Sequence, residues 1–292
     1  MEHSLSPAMH NAAFRRLRID AVYVPLRVEP ATLEEAMAGV RALGIAGLNV
    51  TVPHKEAVIP LLDGLSAEAR RLEAVNTIVR RGARLLGHNT DSRGFRAALE
   101  AARVDVAGRS CLVVGAGGGA RAVAAALTGA GCGELTVVNR TPRRAERLRR
   151  LIRRRRGQIF RVAPWSALAD GGVLGRVDIV VNCTPVGLAG QALDALAYDA
   201  TTPACLFVDL VYGATPTPFL ARARRVGRRT LDGLGMLLHQ GALAFTLWTG
   251  RDAPLAIMAA ALRRALPGSH VSLTQLGASS KQSSTAPRRR RR

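Results

Sequence analysis

Short apolar runs that stop at glycine, proline or a polar cluster recur along the chain, separated by longer stretches with helical spacing. The run Ser110-Cys111-Leu112-Val113-Val114 ends at Gly115, as a strand buried on both faces does. Residues 119–127 are alanine-rich and favour helix. Residues 134–138 predict a second strand, 143–156 an arginine-rich helix, and 177–182 and 206–210 two further strands. Strand, crossover helix and strand at this spacing predict a doubly wound parallel α/β unit. Upstream, residues 21–28 alternate enough for a strand, 31–43 predict a helix, and 46–52 predict a strand ending at Pro53. Residues 73–86 read as a hairpin around Arg81-Gly82-Ala83. Two apolar helices, 234–249 and 254–265, are expected to return and pack on the first part of the chain.

These elements divide the chain into an α/β domain at 1–91, completed by 234–266, and a dinucleotide-binding type of domain at 92–233. From 267 to 292 the sequence turns to Ser, Thr, Gln and Pro and ends in five arginines, Arg288 to Arg292. That tail carries too little apolar surface to offset the entropy of ordering, so disorder is expected there.

Composition narrows the class. At 292 residues and 48% apolar content the chain suits about two globular domains. No apolar run reaches the roughly 18 residues of a membrane span, and the start has no secretory pattern. Cys111, Cys132, Cys183 and Cys205 contain no CxxC, which suits reduced cytoplasmic thiols rather than a zinc site or disulfide framework. Cys111, Cys183 and Cys205 are expected to pack in strands as small apolar side chains. The formal charge is +21, yet only Lys55 and Lys281 are lysine, and no zinc-finger or RNA-binding signature accompanies the arginines. The charge therefore reads as a preference for arginine on solvated faces, and nucleic acid is not expected as a partner.

Candidate chemistry begins at Gly115-Ala116-Gly117-Gly118-Gly119-Ala120, between the predicted strand and helix. Glycines there let the backbone turn tightly and approach a pyrophosphate at the helix N-terminus. The second strand ends at Asn139-Arg140-Thr141 with no acidic residue to bind a ribose 2′-hydroxyl. Arg140, Arg143 and Arg144 would instead accept a 2′-phosphate, which favours NADP. Three polar segments in the first domain stand out: His3-Ser4-Leu5-Ser6-Pro7, Asn49-Val50-Thr51-Val52-Pro53-His54-Lys55, and Asn89-Thr90-Asp91. Taken singly, each could be a cap or turn.

Together they resemble the shikimate dehydrogenase family. The shared segments are HSLSPAMHN at 3–11, NVTVPHK at 49–55, AVNT at 74–77, GHNTD at 87–91, GAGGGARA at 115–122, NRT at 139–141, NCTPVG at 182–187, DLVYG at 209–213 and DGLGMLLHQGA at 232–242. The resemblance implies two α/β domains flanking a cleft, an N-terminal substrate domain and a Rossmann-like NADP domain, and reversible reduction of 3-dehydroshikimate by NADPH in aromatic amino acid biosynthesis. It implies Lys55 and Asp91 as the catalytic pair and Ser4 and Ser6 on the substrate carboxylate. Thr51, Asn76, Asp91 and Gln240 would hold the ring hydroxyls, with Tyr212 lining the pocket. Around the cofactor it implies Gly115 to Ala120, with Asn139, Arg140, Thr141 and Arg144 near the 2′-phosphate and Thr184, Gly235 and Met236 near the nicotinamide. No metal is required. A cytoplasmic monomer or homodimer acting on a small molecule is expected.

Quinate and dual-specificity quinate/shikimate dehydrogenases share most of these segments, and a catalytically weak ligand-binding relative would share them too. Ser6, in place of the bulkier threonine of some quinate-preferring relatives, leans toward shikimate, and the intact Lys55–Asp91 pair argues against a weak relative. Family members also carry a strand ahead of the HSxSP segment, whereas Met1 stands almost at that segment here. The expectation is a start assigned too late, with backbone groups of the first sheet left unpaired; residues restored upstream should then raise the melting temperature.

Overall fold

The computed structural model describes residues 4–188 and 190–266. The expected tail at 267–292 lies outside the described residues, as does His3. The first sheet is small. Its strands are β1 (Gly47–Asn49), β2 (Gly64–Leu65), β3 (Thr77–Arg81) and β4 (Arg84–His88), in the order β1-β3-β4-β2. β3 and β4 form the expected hairpin, turning at Gly82 with φ +59°, and β1 pairs antiparallel with β3. β1 is shorter than the predicted 46–52. It gives way to a turn in which the His54 amide donates to the Thr51 carbonyl.

The helices of this region are α1 (Ser6–Arg16), α2 (Leu33–Ala42), α3 (His54–Ala57), α4 (Ala67–Leu72) and α5 (Asp91–Ala101). Pro7 in the first turn of α1 suits a helix start, where its missing N–H costs nothing. Ser66 caps α4 by accepting from the Ala69 amide, and Glu73 ends it in the left-handed conformation at φ +48°.

The second sheet is parallel throughout. Its strands are β5 (Ser110–Val114), β6 (Glu134–Val138), β7 (Ile159–Ala163), β8 (Ile179–Asn182), β9 (Leu206–Asp209) and β10 (Arg229–Leu231), in the order β10-β9-β8-β5-β6-β7. Residue alternation sends Cys111 and Val113 into one apolar layer and Leu112 and Val114 into the other, so both faces are buried. Between the strands run α6 (Gly118–Gly129), α7 (Pro142–Leu151), α8 (Gly171–Leu174) and α9 (Pro218–Arg225). The winding reverses between β5 and β8, the point where open α/β sheets place their ligands.

The chain then returns to the first sheet. α10 (Leu234–Thr249) packs on α5, and α11 (Leu255–Ala265) on α1. Met9, Phe14, Leu238, Phe245 and Met258 form the shared core of this region. Trp248 Nε1 donates to the Ile78 carbonyl, stitching α10 to β3. No helix among the described residues is long and apolar enough to cross a membrane.

Three expectations need correction. Residues 21–28 form no strand: the side chain of Asn11 takes both backbone groups of Tyr23, at 2.7 and 2.9 Å, and Pro25 has no N–H to give. The helix expected at 143–156 ends at Leu151. Ile152 turns extended to bury itself, and Gln158 accepts from the Arg155 amide while donating to the Thr128 and Cys132 carbonyls, which fixes the arginine run in a turn. Of the three cysteines expected in strands only Cys111 lies in one: Cys183 is partly buried just past the end of β8, and Cys205 is buried one residue before β9.

Candidate active site

Lys55 and Asp91 lie 36 residues apart and meet in an ion pair of 2.5 Å between Nζ and Oδ2. Lys55 is carried by α3, just past the turn at Pro53, and Asp91 is the first residue of α5, where the helix dipole favours a carboxylate. The pair is sheltered, with 15% and 5% of the two side chains exposed. The other aspartate oxygen accepts from Asn76 Nδ2 at 2.8 Å. That amide nitrogen also lies 2.9 Å from Thr90 Oγ1 and 3.2 Å from Gln240 Oε1, while Asn76 Oδ1 accepts from the Thr90 amide. Gln240 in turn donates to the Leu237 carbonyl of its own helix. Asp91 is thus held from the hairpin on one side and from the lysine on the other.

A second polar group adjoins the first through Asn49. The Tyr23 hydroxyl donates to Asn49 Oδ1 at 3.1 Å, and Asn49 Nδ2 donates to the Asn76 carbonyl and Thr77 Oγ1. Ser6 and Tyr212 both lie close enough to the Tyr23 hydroxyl to act on its ionisation, Ser6 lowering its pKa and Tyr212 raising it. Burial pushes the Tyr23 phenol up to about 12 and raises Tyr212 as well, so both stay protonated donors at neutral pH. Of the side chains anticipated from sequence, Lys55, Asp91, Asn76 and Gln240 are brought into one network, with Ser6 and Tyr212 beside it. The hydroxyls of Ser4 and Thr51 join neither group among the described residues, and Thr51 is exposed.

The glycine turn follows β5. Gly115 has φ +113°, and a Cβ there would come within 3.2 Å of the Cys183 backbone, so the turn at the sheet reversal requires glycine. Gly117 caps α6 without any side-chain bond, which leaves the first amides of that helix available to an anion. Ala116 and Ala120 are buried beneath the turn, and a Cβ on Gly119 would touch Leu210. Gly118 faces the other domain: a Cβ there would lie 3.3 Å from Lys55 Cδ. Past β6, Asn139 donates to the Thr141 carbonyl and turns the chain into α7. Arg140, Arg143 and Arg144 are exposed there, with no acidic partner among the described residues. This donor set fits a dinucleotide carrying a 2′-phosphate.

Thr184, past β8, donates to Asn182 Oδ1 at 2.7 Å. Asn182 donates to Asp209, which also accepts from Thr217 Oγ1 at 2.6 Å and from the Val211 amide. Burial raises the Asp209 carboxyl to about 6 against the pull of those hydrogen bonds. The network fixes the loop leading to Tyr212. Gly235 is buried at the start of α10, and Met236 packs against the core of the second sheet.

Sequence reasoning assigned no role to Thr90, Asn49, Tyr23, Asn182 or Asp209. Thr90, Asn49, Asn182 and Asp209 all lie inside the family segments and could have been named. Tyr23 lies in a segment without any such signal.

Residues 1–78 match the shikimate dehydrogenase substrate binding domain, 97–211 the shikimate / quinate 5-dehydrogenase family, and 233–263 the shikimate 5′-dehydrogenase C-terminal domain. The shikimate dehydrogenase (NADP(+)) of Moorella thermoacetica is 48% identical over 273 residues, 92% of each chain. Among solved structures, the shikimate 5-dehydrogenase of Thermus thermophilus in complex with NADP(H) and shikimate superimposes with a TM-score of 0.79 at 39% identity, over 91% of this chain and 96% of that one. The quinate dehydrogenase of Corynebacterium glutamicum in complex with NAD has a TM-score of 0.78 at 33% identity, over 89% and 94%.

Proposed function

The chain belongs to the shikimate dehydrogenase family, and we propose that Lys55 and Asp91 perform the proton chemistry of its NADP-dependent reaction, the reversible reduction of 3-dehydroshikimate to shikimate. The observation that carries this assignment is the sheltered 2.5 Å pair between them, in a network with Asn76 and Gln240 and against the glycine turn. Bound NADPH supplies the hydride. As the substrate carbonyl is reduced its oxygen gains negative charge, and the Lys55 ammonium stabilises that charge and passes a proton to it. In the oxidising direction Lys55 takes the hydroxyl proton back. Asp91 holds the ammonium in place and accepts a hydrogen bond from the reacting hydroxyl. Arginine at position 55 would supply the charge but could not release the proton near neutral pH.

Asn76, Gln240 and Thr51 hold the ring hydroxyls in this reading, Ser4 and Ser6 take the carboxylate, and Tyr212 closes the pocket. Arg140 and Arg144, with Asn139 and Thr141, receive the 2′-phosphate, and the amides from Gly115 to Ala120 the pyrophosphate; Thr184, Gly235 and Met236 flank the nicotinamide. Residues 1–91 with 234–266 form the substrate domain and 92–233 the cofactor domain. The free thiols support a cytoplasmic setting. Shikimate is favoured over quinate by Ser6 and by the 48% identity to an NADP-dependent shikimate enzyme.

Initial rates of NADP⁺ reduction with shikimate test the assignment. Lys55→Ala should lose about 10³-fold in kcat while still binding NADP⁺. A Lys55→Ala enzyme with unchanged kcat would overturn the role of the lysine.

A further inference from the structure

Only 4% of Arg121 is exposed, an unusual degree of burial for an arginine. It sits in the first turn of α6, immediately after the glycine turn, yet its guanidinium bonds only residues of the first domain. Nη1 donates to the carbonyls of Leu72 and Glu73, at 3.2 and 2.8 Å, and Nη2 donates to Glu56 Oε2 at 2.7 Å. The Glu73 carboxylate lies 3.9 Å from Nη1, and Arg147 of α7 grips the same carboxylate from the other side. One guanidinium therefore satisfies the last carbonyls of α4 and a carboxylate of α3 together.

Those anchor points surround the lysine. Glu56 follows Lys55 directly. The Lys55 carbonyl accepts from the Val75 amide, one residue before Asn76. Gly118, three residues before Arg121, is packed closely enough that a Cβ would sit 3.3 Å from Lys55 Cδ and 3.4 Å from Ala74 Cβ. The clamp thus ties the lysine-bearing helix α3 and the connection from α4 to Asn76 onto α6, the helix that follows the glycine turn.

We propose that Arg121 is a positioning residue for the reaction: it fixes the spacing of the Lys55–Asp91 pair from the dinucleotide-binding turn, so that hydride and proton are delivered to the same carbonyl in register. The proposal rests on the assignment of Lys55 and Asp91 above. It concerns no direct contact of Arg121 with substrate or cofactor. Displacement of reacting groups by about 1 Å costs on the order of 100-fold in rate, and the clamp controls a displacement of that kind.

The test compares Arg121→Met, Arg121→Lys and Glu56→Gln with Lys55→Ala. It follows melting temperature, NADPH affinity by nicotinamide fluorescence, kcat and KM, and the isotope effect with NADPH deuterated at the transferred position. Arg121→Met should lower kcat about 10- to 100-fold, with NADPH affinity and the shikimate KM within about threefold and a larger isotope effect. Arg121→Lys should recover part of the loss, and Glu56→Gln, which keeps the carbonyl contacts, should lose least. If Arg121→Met fails to fold, the two milder variants still decide the matter by their kcat and isotope effect. A fall in melting temperature with kcat and isotope effect unchanged in folded protein would overturn the proposal. So would a fall in NADPH affinity that accounts for the whole loss. Turnover retained by Lys55→Ala would instead overturn the underlying site assignment, whatever the Arg121 variants do.

Discussion

The six-stranded sheet buries both faces and offers the site mainly backbone: a glycine turn, free helix amides and the ends of β5 and β8. The four-stranded sheet includes strands of two and three residues, and beside it Val22, Val24 and Leu26 are 74%, 55% and 46% exposed. Yet this weaker framework carries the polar side chains that meet in the site, Lys55, Asn76 and Asp91. It holds them by side-chain hydrogen bonds that join α3, the start of α5 and the residue before β3, not by placing them on the face of a sheet. Rigid apolar layers suit a shared cofactor, whose recognition needs fixed amides. Substrate chemistry needs charged and polar groups, which a layer buried on both faces admits only when they are paired among themselves, as Asn182 and Asp209 are.

The contrast can be broken most forcefully in the large sheet. Phe207 is fully buried, stacked on Tyr198 and tilted against Phe219, so Phe207→Ala should cost about 3–5 kcal/mol in denaturant unfolding. The kcat of the molecules that remain folded should be unchanged.

Acid should separate the two regions by sign. His10 is buried between Tyr23 and Trp248 with neither ring nitrogen bonded, and desolvation lowers it to about 3. Between its ordinary value of 6.5 and that value the unfolded chain binds the extra proton, so stability falls as pH falls. From pH 7 to pH 5 the loss is about 2 kcal/mol relative to His10→Leu. Asp209 is raised from 3.8 to about 6, so the folded state binds the extra proton and its contribution grows by about 1 kcal/mol over the same interval. Hydrogen exchange at the two pH values should show α1 loosening while the loop after β9 tightens.

Among the exposed arginines of the cofactor side, Arg144→Ser should raise the KM for NADP⁺ about tenfold, equivalent to about 1.4 kcal/mol, and leave the KM for NAD⁺ unchanged. An equal rise for both cofactors would remove Arg144 from the 2′-phosphate site. The smallest effect belongs to the exposed segment: Val24→Thr should change unfolding free energy by less than about 0.5 kcal/mol. A loss above about 1 kcal/mol would mean that residues 21–28 are paired in solution.

The parallel sheet was the more legible region because its strands are continuous apolar runs. β5 and β6 fall at their expected residues, and the glycine turn stands between β5 and α6 as the sequence placed it. β7 escaped notice because Arg161 interrupts its apolar stretch, and β10 because Arg229-Thr230-Leu231 offers only one apolar residue. The alternation at 21–28 misled, since alternation reports a face and not a pairing partner. Within the site, Lys55 stood out as one of two lysines in an arginine-rich chain. The meeting of Asn76 with Gln240 spans 164 positions and has no local signature. Arg121 stood inside the shared segment at 115–122 with no role attached to it, and its burial against Glu56 and the end of α4 is what distinguishes it.

The stitch from Trp248 to Ile78, with α10 and α11 closing over α1 and α5, bears on biosynthesis. The first sheet and its helices are completed by α10 and α11, which are synthesised after the whole parallel sheet. The parallel sheet of residues 110–231 can therefore form while the first domain still lacks part of its core. Gln240 can reach Asn76 only once α10 has been synthesised, so the polar network around Asp91 is completed after the parallel sheet has the residues it needs to fold.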